Sequence, residues 1–153
     1  MKKQNIFKFL TAALLSSTLF LACNKDNDIP MNPTVQKLLF NWKITAITTP
    51  KKNNPSVDSS ILKTCTSDDI IKFSTSGFDF QDGTTKCDST VFPYSKGGWD
   101  YKQAGDSILL GATTPAKYMS WKIVTINDSV LQVRYIDSLN PAAKLTKTIS
   151  FKH

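Results

Sequence analysis

The chain has 153 residues and a formal net charge of +7, which is about one domain's worth of sequence. All twelve acidic residues are Asp, and Ser plus Thr fill thirty-two positions. Because Asp, Ser and Thr compete with the helical backbone for its own hydrogen-bonding groups, long helices are disfavoured and an all-β domain is expected. The single His is residue 153, so neither a His-based catalytic triad nor a cage of several His around a metal can be assembled, and no enzyme is expected.

The N-terminus reads as an address. Lys2 and Lys3 form a positive region, and Phe9 to Ala22 is a mostly apolar run of fourteen residues. At about 1.5 Å per residue this run is short for a hydrocarbon core of ~30 Å, so a removable signal is favoured over a retained membrane helix. Leu19-Phe20-Leu21-Ala22-Cys23 resembles a bacterial lipobox, which implies cleavage before Cys23 and acylation of its thiol. The expected division is signal peptide 1–22, a tether 23–33 from lipidated Cys23, and a domain over 34–153. The tether segment Asn24-Lys25-Asp26-Asn27-Asp28 is similar to the export signals of Bacteroidetes-type surface lipoproteins, and a solvated spacer explains it equally well. Loss of Lys2, Lys3 and Lys8 leaves sixteen basic residues against twelve acidic ones, a charge of +4. With no aromatic-interleaved basic stripe, nucleic acid is not an expected partner.

With Cys23 assigned to lipid, Cys65 and Cys87 remain, and in an oxidising envelope compartment they should pair. A redox-active pair is the weaker reading, because C-x-x-C spacing is absent.

In chain order, Pro33 to Phe40 reads as one short helix and Phe40 to Thr49 as a strand alternating Trp42, Ile44 and Ala46 with polar residues. Pro50 to Asp68 reads as a long polar connection. Asp69 to Ser74 and Phe78 to Asp88 form the next strands, the second bent by a bulge at Asp82-Gly83. Strands then follow at 98–102, 107–112, 118–126, 129–137 and 145–152, with turns at 103–106 and at Asn127-Asp128. Eight sequential strands with short turns suit an eight-stranded antiparallel up-and-down barrel with a short N-terminal helix. The larger-residue face of each strand should point inward: Trp42, Ile44, Ile71, Phe73, Phe78, Phe80, Trp99, Tyr101, Ile108, Leu110, Trp121, Ile123, Leu131, Val133, Ile149 and Phe151.

Leu38-Leu39-Phe40-Asn41-Trp42-Lys43-Ile44, then Cys65, Asp68-Asp69, Phe73, Gly77 and Cys87, resemble the lipocalin-like domain of bacterial lipoproteins. Gly98-Trp99, Asp106-Ser107-Ile108-Leu109-Leu110, Trp121-Lys122-Ile123 and Asp128-Ser129-Val130-Leu131 extend the resemblance over residues 34–153. It implies an outer-membrane lipoprotein in the cell envelope, periplasmic or surface-exposed, binding a small hydrophobic ligand without a cofactor. The expected ligand-binding residues are Trp42, Phe73, Phe80, Trp99, Tyr101, Trp121 and Tyr135, with the 50–68 connection as a lid over the barrel mouth. The alternative is a filled barrel, in which these aromatics are core and the loops dock another envelope protein.

Two weaker patterns complete the reading. Asp68, Asp69, Asp79, Asp82 and Asp88 lack the spacing and the bidentate Glu of an EF-hand, so solvated turns account for them and no metal is expected. Ser60-Ile61-Leu62-Lys63 matches S-x-x-K by chance, since the companion serine-acylase motifs are missing.

Overall fold

A computed structural model describes residues 31–87, 95–112, 117–137 and 145–153. Residues 31–153 form one compact unit. Its elements are helix α1 (Pro33–Leu38) and strands β1 (Asn41–Lys51), β2 (Asn54–Ser60), β3 (Ile70–Ser74), β4 (Gly77–Gln81), β5 (Lys96–Lys102), β6 (Ser107–Ala112), β7 (Lys117–Ile126), β8 (Val130–Asp137) and β9 (Leu145–Lys152). Short 3-10 turns cover Thr64–Thr66 and Gln103–Gly105.

Helix α1 starts where its sequence dictates. The Asn32 side chain accepts the Thr34 N–H at 2.8 Å, and Pro33 occupies the first helical position, where its missing donor costs nothing. Every sheet pairing is antiparallel, and sequence neighbours pair from β3 to β9. β1 then pairs with β9 along one edge and with β3 along the other, which closes an eight-stranded barrel and removes its open edges. The expected barrel with one short helix is therefore present.

β2 is the ninth strand and stands outside the ring. It pairs with Thr48–Lys51, the part of β1 that runs beyond β3. The 50–68 connection is thus not a plain loop but a hairpin arm and a 3-10 turn. Residues Asn54 to Asp58 are exposed, so β2 has no buried face and no apolar alternation to betray it; its pairing is a backbone ladder to which the Thr48 hydroxyl adds one exposed hydrogen bond, donated to Asp58 Oδ2 at 3.1 Å.

The strand expected over Phe78 to Asp88 ends at Gln81, without a bulged continuation. Past that point the backbone donors leave the ladder for carboxylates: Gly83 N–H donates to Asp69 Oδ1 at 2.9 Å, and Thr84 N–H to Asp68 Oδ2 at 2.7 Å. Asp88 lies outside the described residues. β4 and β5 accordingly share a short ladder, Phe78 opposite Gly97 and Asp79 opposite Lys96. A Cβ on Gly97 would overlap the Gly111 carbonyl oxygen, so only glycine fits this approach of β5 to β6.

Of the sixteen residues expected inward, thirteen are buried, and Phe80, Trp99 and Tyr101 are half-buried against the same core. Ala46 is the exception to the alternation read in β1. The β1–β9 register shifts between Ile44 and Ala46, and Ile47 takes the next buried place opposite Ile149. A second shift between Ile123 and Thr125 makes Val124 the extra residue, so Thr125 stays outward opposite Gln132 and Ile126 packs against the core. Each bulge adds one residue and so reverses the phase of the side chains beyond it. Leu38, Ile47 and Tyr135 complete the core.

The barrel has two unlike ends. One carries α1, the β3–β4, β5–β6 and β7–β8 turns and His153; the other carries the β1–β2 hairpin and the beginnings of β5, β7 and β9. At the helix end Leu38 is fully buried and its carbonyl accepts the Trp42 indole N–H at 3.1 Å, so α1 closes the bottom of the barrel.

Candidate functional site

The seven residues expected to bind ligand separate into two groups. Trp42 and Trp121 have no exposed surface, and Phe73 and Tyr135 are buried. Trp121 lies between Tyr135 and Phe151, with ring centroids 6.2 and 5.8 Å away, deep among strands β7 to β9. Trp42 packs edge-on to His153 at 5.3 Å, and the imidazole stacks on Phe40 at 4.3 Å, so the sole His belongs to the aromatic cap at the helix end. These side chains fill the interior as core. Phe80 is half-buried opposite Ile71 and joins them.

Trp99 and Tyr101 form the remaining group. Consecutive inward positions of β5, they reach past the short β4 ladder toward α1. The Trp99 indole N–H donates to Ser74 O at 2.8 Å, tying β5 to the β3–β4 turn where backbone pairing has ended, and its ring meets Phe73 edge-on at 5.2 Å. The Tyr101 hydroxyl donates to Asp106 Oδ1 at 2.9 Å, and Asp106 holds the left-handed conformation that ends the β5–β6 turn. Both rings are fixed at one end and apolar along their length.

Between these rings and α1 lies a groove of about 410 Å³, lined by Asn32, Val35, Leu39, Thr75, Trp99, Asp100, Tyr101 and Gln103. Val35 and Leu39 stand one helical turn apart and face the sheet, while Asn32, Asp100 and Gln103 supply polar edges; Asp100 is paired with Lys102. The volume lies in the range of small-molecule sites, about 300–1,000 Å³. This groove sits at the helix end, whereas the mouth expected from the sequence was at the opposite end under residues 50–68. Val35 and Leu39 escaped the sequence reading. Their i, i+4 spacing was the available signal, but a helix this short shows it only once.

The opposite end is polar within. Lys147 Nζ and Asp137 Oδ2 pair at 2.6 Å with side chains only 20% and 15% exposed, and Tyr135 stands directly opposite Lys147. Burial, and next the Asp137 carboxylate, push the Tyr135 phenol well above its ordinary pKa, so it stays protonated at any physiological pH.

Cys65 and Cys87 form the expected disulfide. It lies beside Asp68 and Asp69, whose carboxylates receive the N–H groups of Gly83, Thr84 and Thr85, so bond and carboxylates clasp the same two segments. Asp69 is 3% exposed and thus departs from the solvated-turn reading; desolvation raises its pKa against the Gly83 hydrogen bond, with Asp82 and Asp68 adding to the rise. Asp79 accepts a hydrogen bond from Gln81 Nε2 at 2.7 Å. Among the described residues no three His, Cys, Asp or Glu side chains group to hold a metal ion. Ser60 and Lys63 of the S-x-x-K match stand at a strand end and before a 3-10 turn, not on a helix. The expected signal peptide 1–22 and, of the expected tether 23–33, Cys23 and the residues up to 30 lie outside the described residues.

A scan against protein-family models finds no match, and searches of the curated proteins and of the solved structures return no matching relative.

Proposed function

We propose that this chain is a lipocalin-like envelope lipoprotein, held in the outer membrane through acylated Cys23, whose barrel binds a small apolar ligand without enzymatic turnover. The observation that carries the ligand reading is the groove between α1 and β5, of ligand size and walled by Val35, Leu39, Trp99 and Tyr101. The anchoring reading rests on the apolar run Phe9 to Ala22 placed directly before Cys23.

Trp99 makes the site testable by fluorescence, because Trp42 and Trp121 are fully shielded and it is the one indole within reach of solvent. Titration with oleate or cis-parinaric acid should quench it saturably, and Val35→Asp or Leu39→Asp should abolish the response while leaving the far-ultraviolet spectrum intact. Absence of saturable quenching refutes the ligand reading. Separately, Cys23→Ser should release the protein from the membrane fraction and prevent acyl labelling; continued labelling refutes the anchor.

One observation favours a second reading, a subunit that docks another envelope protein. Trp42, Trp121, Phe151 and Leu38 are fully buried, so the helix-side half of the barrel is solid. On that reading the same fluorescence titration is silent, and crosslinking in intact cells recovers a defined envelope protein.

A further inference from the structure

The outer face of β7 and β8 carries an arrangement that neither the core nor the groove explains. Lys122 and Arg134 are directly opposite each other in the β7–β8 ladder, and both are exposed. Like charges in facing positions repel, so folding alone gives no reason for the pair. Neither side chain has an ion-pair or hydrogen-bond partner among the described residues.

Exposed apolar residues flank these cations. Ile136 is 59% exposed and Tyr118 71%, on the same outward phase as Arg134 and Lys122, and Val124, the extra residue of the β7 bulge, is exposed too. A groove of about 450 Å³ runs between the two strands, lined by Tyr118, Ser120, Lys122, Arg134, Ile136 and Thr146 among others. The outward positions of β8 and β9 bear Gln132, Thr146, Thr148, Ser150 and Lys152, so no described acidic side chain on this face neutralises the pair.

From this juxtaposition we infer that the β7–β8 face is a docking surface for an anionic phospholipid bilayer. Lys122 and Arg134 share a lipid phosphate, and Tyr118 and Ile136 rest at the boundary between headgroups and acyl chains. Two cations without a partner among the described residues, set among exposed apolar side chains, are the composition that binds such a boundary: charge draws the face to anionic lipid and apolar area holds it there. A soluble anion would use the cations and leave Tyr118 and Ile136 without a role. The inference does not depend on the acyl anchor, since it concerns the barrel alone.

The test uses residues 31–153, which carry their own closed sheet, core and disulfide, so that the apolar segment 9–22 stays out of the measurement. Cosedimentation is measured with vesicles of phosphatidylcholine and with vesicles of phosphatidylcholine and phosphatidylglycerol in equal parts. Binding should require the anionic lipid and weaken as salt is raised. Each cation near such a surface contributes about fivefold, so Lys122→Gln with Arg134→Gln should weaken binding by about 25-fold. Tyr118→Ser with Ile136→Ser should weaken it while preserving the salt dependence. All four positions are exposed, so the thermal midpoint should hold, and removal of the repelling pair should not lower it. Equal binding by the Lys122/Arg134 variant overturns the inference, as does equal binding to both vesicle types. Full competition by inorganic phosphate, with no further loss in the Tyr118/Ile136 variant, assigns the cations to a free anion and overturns the bilayer as occupant.

Discussion

Replacing Cys65 and Cys87 together by Ser should destabilise the domain by about 3 kcal/mol. The disulfide closes a loop with a sequence separation of 22. In the chain-entropy account a closure of that length removes roughly 11 cal/mol/K from the unfolded ensemble, or about 3.4 kcal/mol at 25 °C. For a domain of this size a loss of 1 kcal/mol lowers the thermal midpoint by roughly 3–5 °C, so the double variant should melt about 10–15 °C lower. The native fold should survive the change, because Asp68 and Asp69 still bind the N–H groups of Gly83, Thr84 and Thr85 across the same junction. Urea unfolding followed by Trp fluorescence measures the difference, and a reducing agent should bring the wild type to the same curve. Each single Cys→Ser variant should match the double, since either removes the whole constraint. A loss below about 1 kcal/mol would show that the hairpin is already ordered in the unfolded ensemble, and the entropic reasoning would fail.

Two further predictions concern buried acids. Asp69→Ala should cost about 1–3 kcal/mol by leaving the Gly83 N–H without its acceptor, whereas Asp69→Asn keeps an oxygen there and should cost less. Because the folded state raises the Asp69 pKa, it holds that proton more tightly than the unfolded chain, so this group's contribution falls as pH rises from about 4; urea midpoints across the acid range should fall less steeply for Asp69→Asn. The raised Tyr135 phenol has the same sign at the alkaline end: wild-type stability should fall as pH passes about 10, and Tyr135→Phe should lose less, with equal slopes for the two proteins refuting the assignment.

The barrel was legible because its strands obey period-two alternation around large side chains, and closure demands only that the last strand meet the first. Trp42, Ile71, Trp121, Val133 and Phe151 were placed inward by that rule alone. The disulfide followed from counting, since setting Cys23 aside as the expected lipid site leaves one pairing, Cys65 with Cys87. Local sequence could not report a pairing that buries no apolar side chains. β2 joins the sheet through its backbone while its residues face water, and the bulges after Ile44 and Ile123 shift the pattern by one residue with no Gly or Pro to mark them. Nor could sequence separate the ligand candidates. Trp42, Trp99 and Trp121 look alike along the chain, and each lies on the inward phase of its strand. Only the tertiary structure sealed two of them in the core and left the third on a groove, because β4 begins only after the β3–β4 turn, β5 runs on past that turn, and α1 lies across the space beside it.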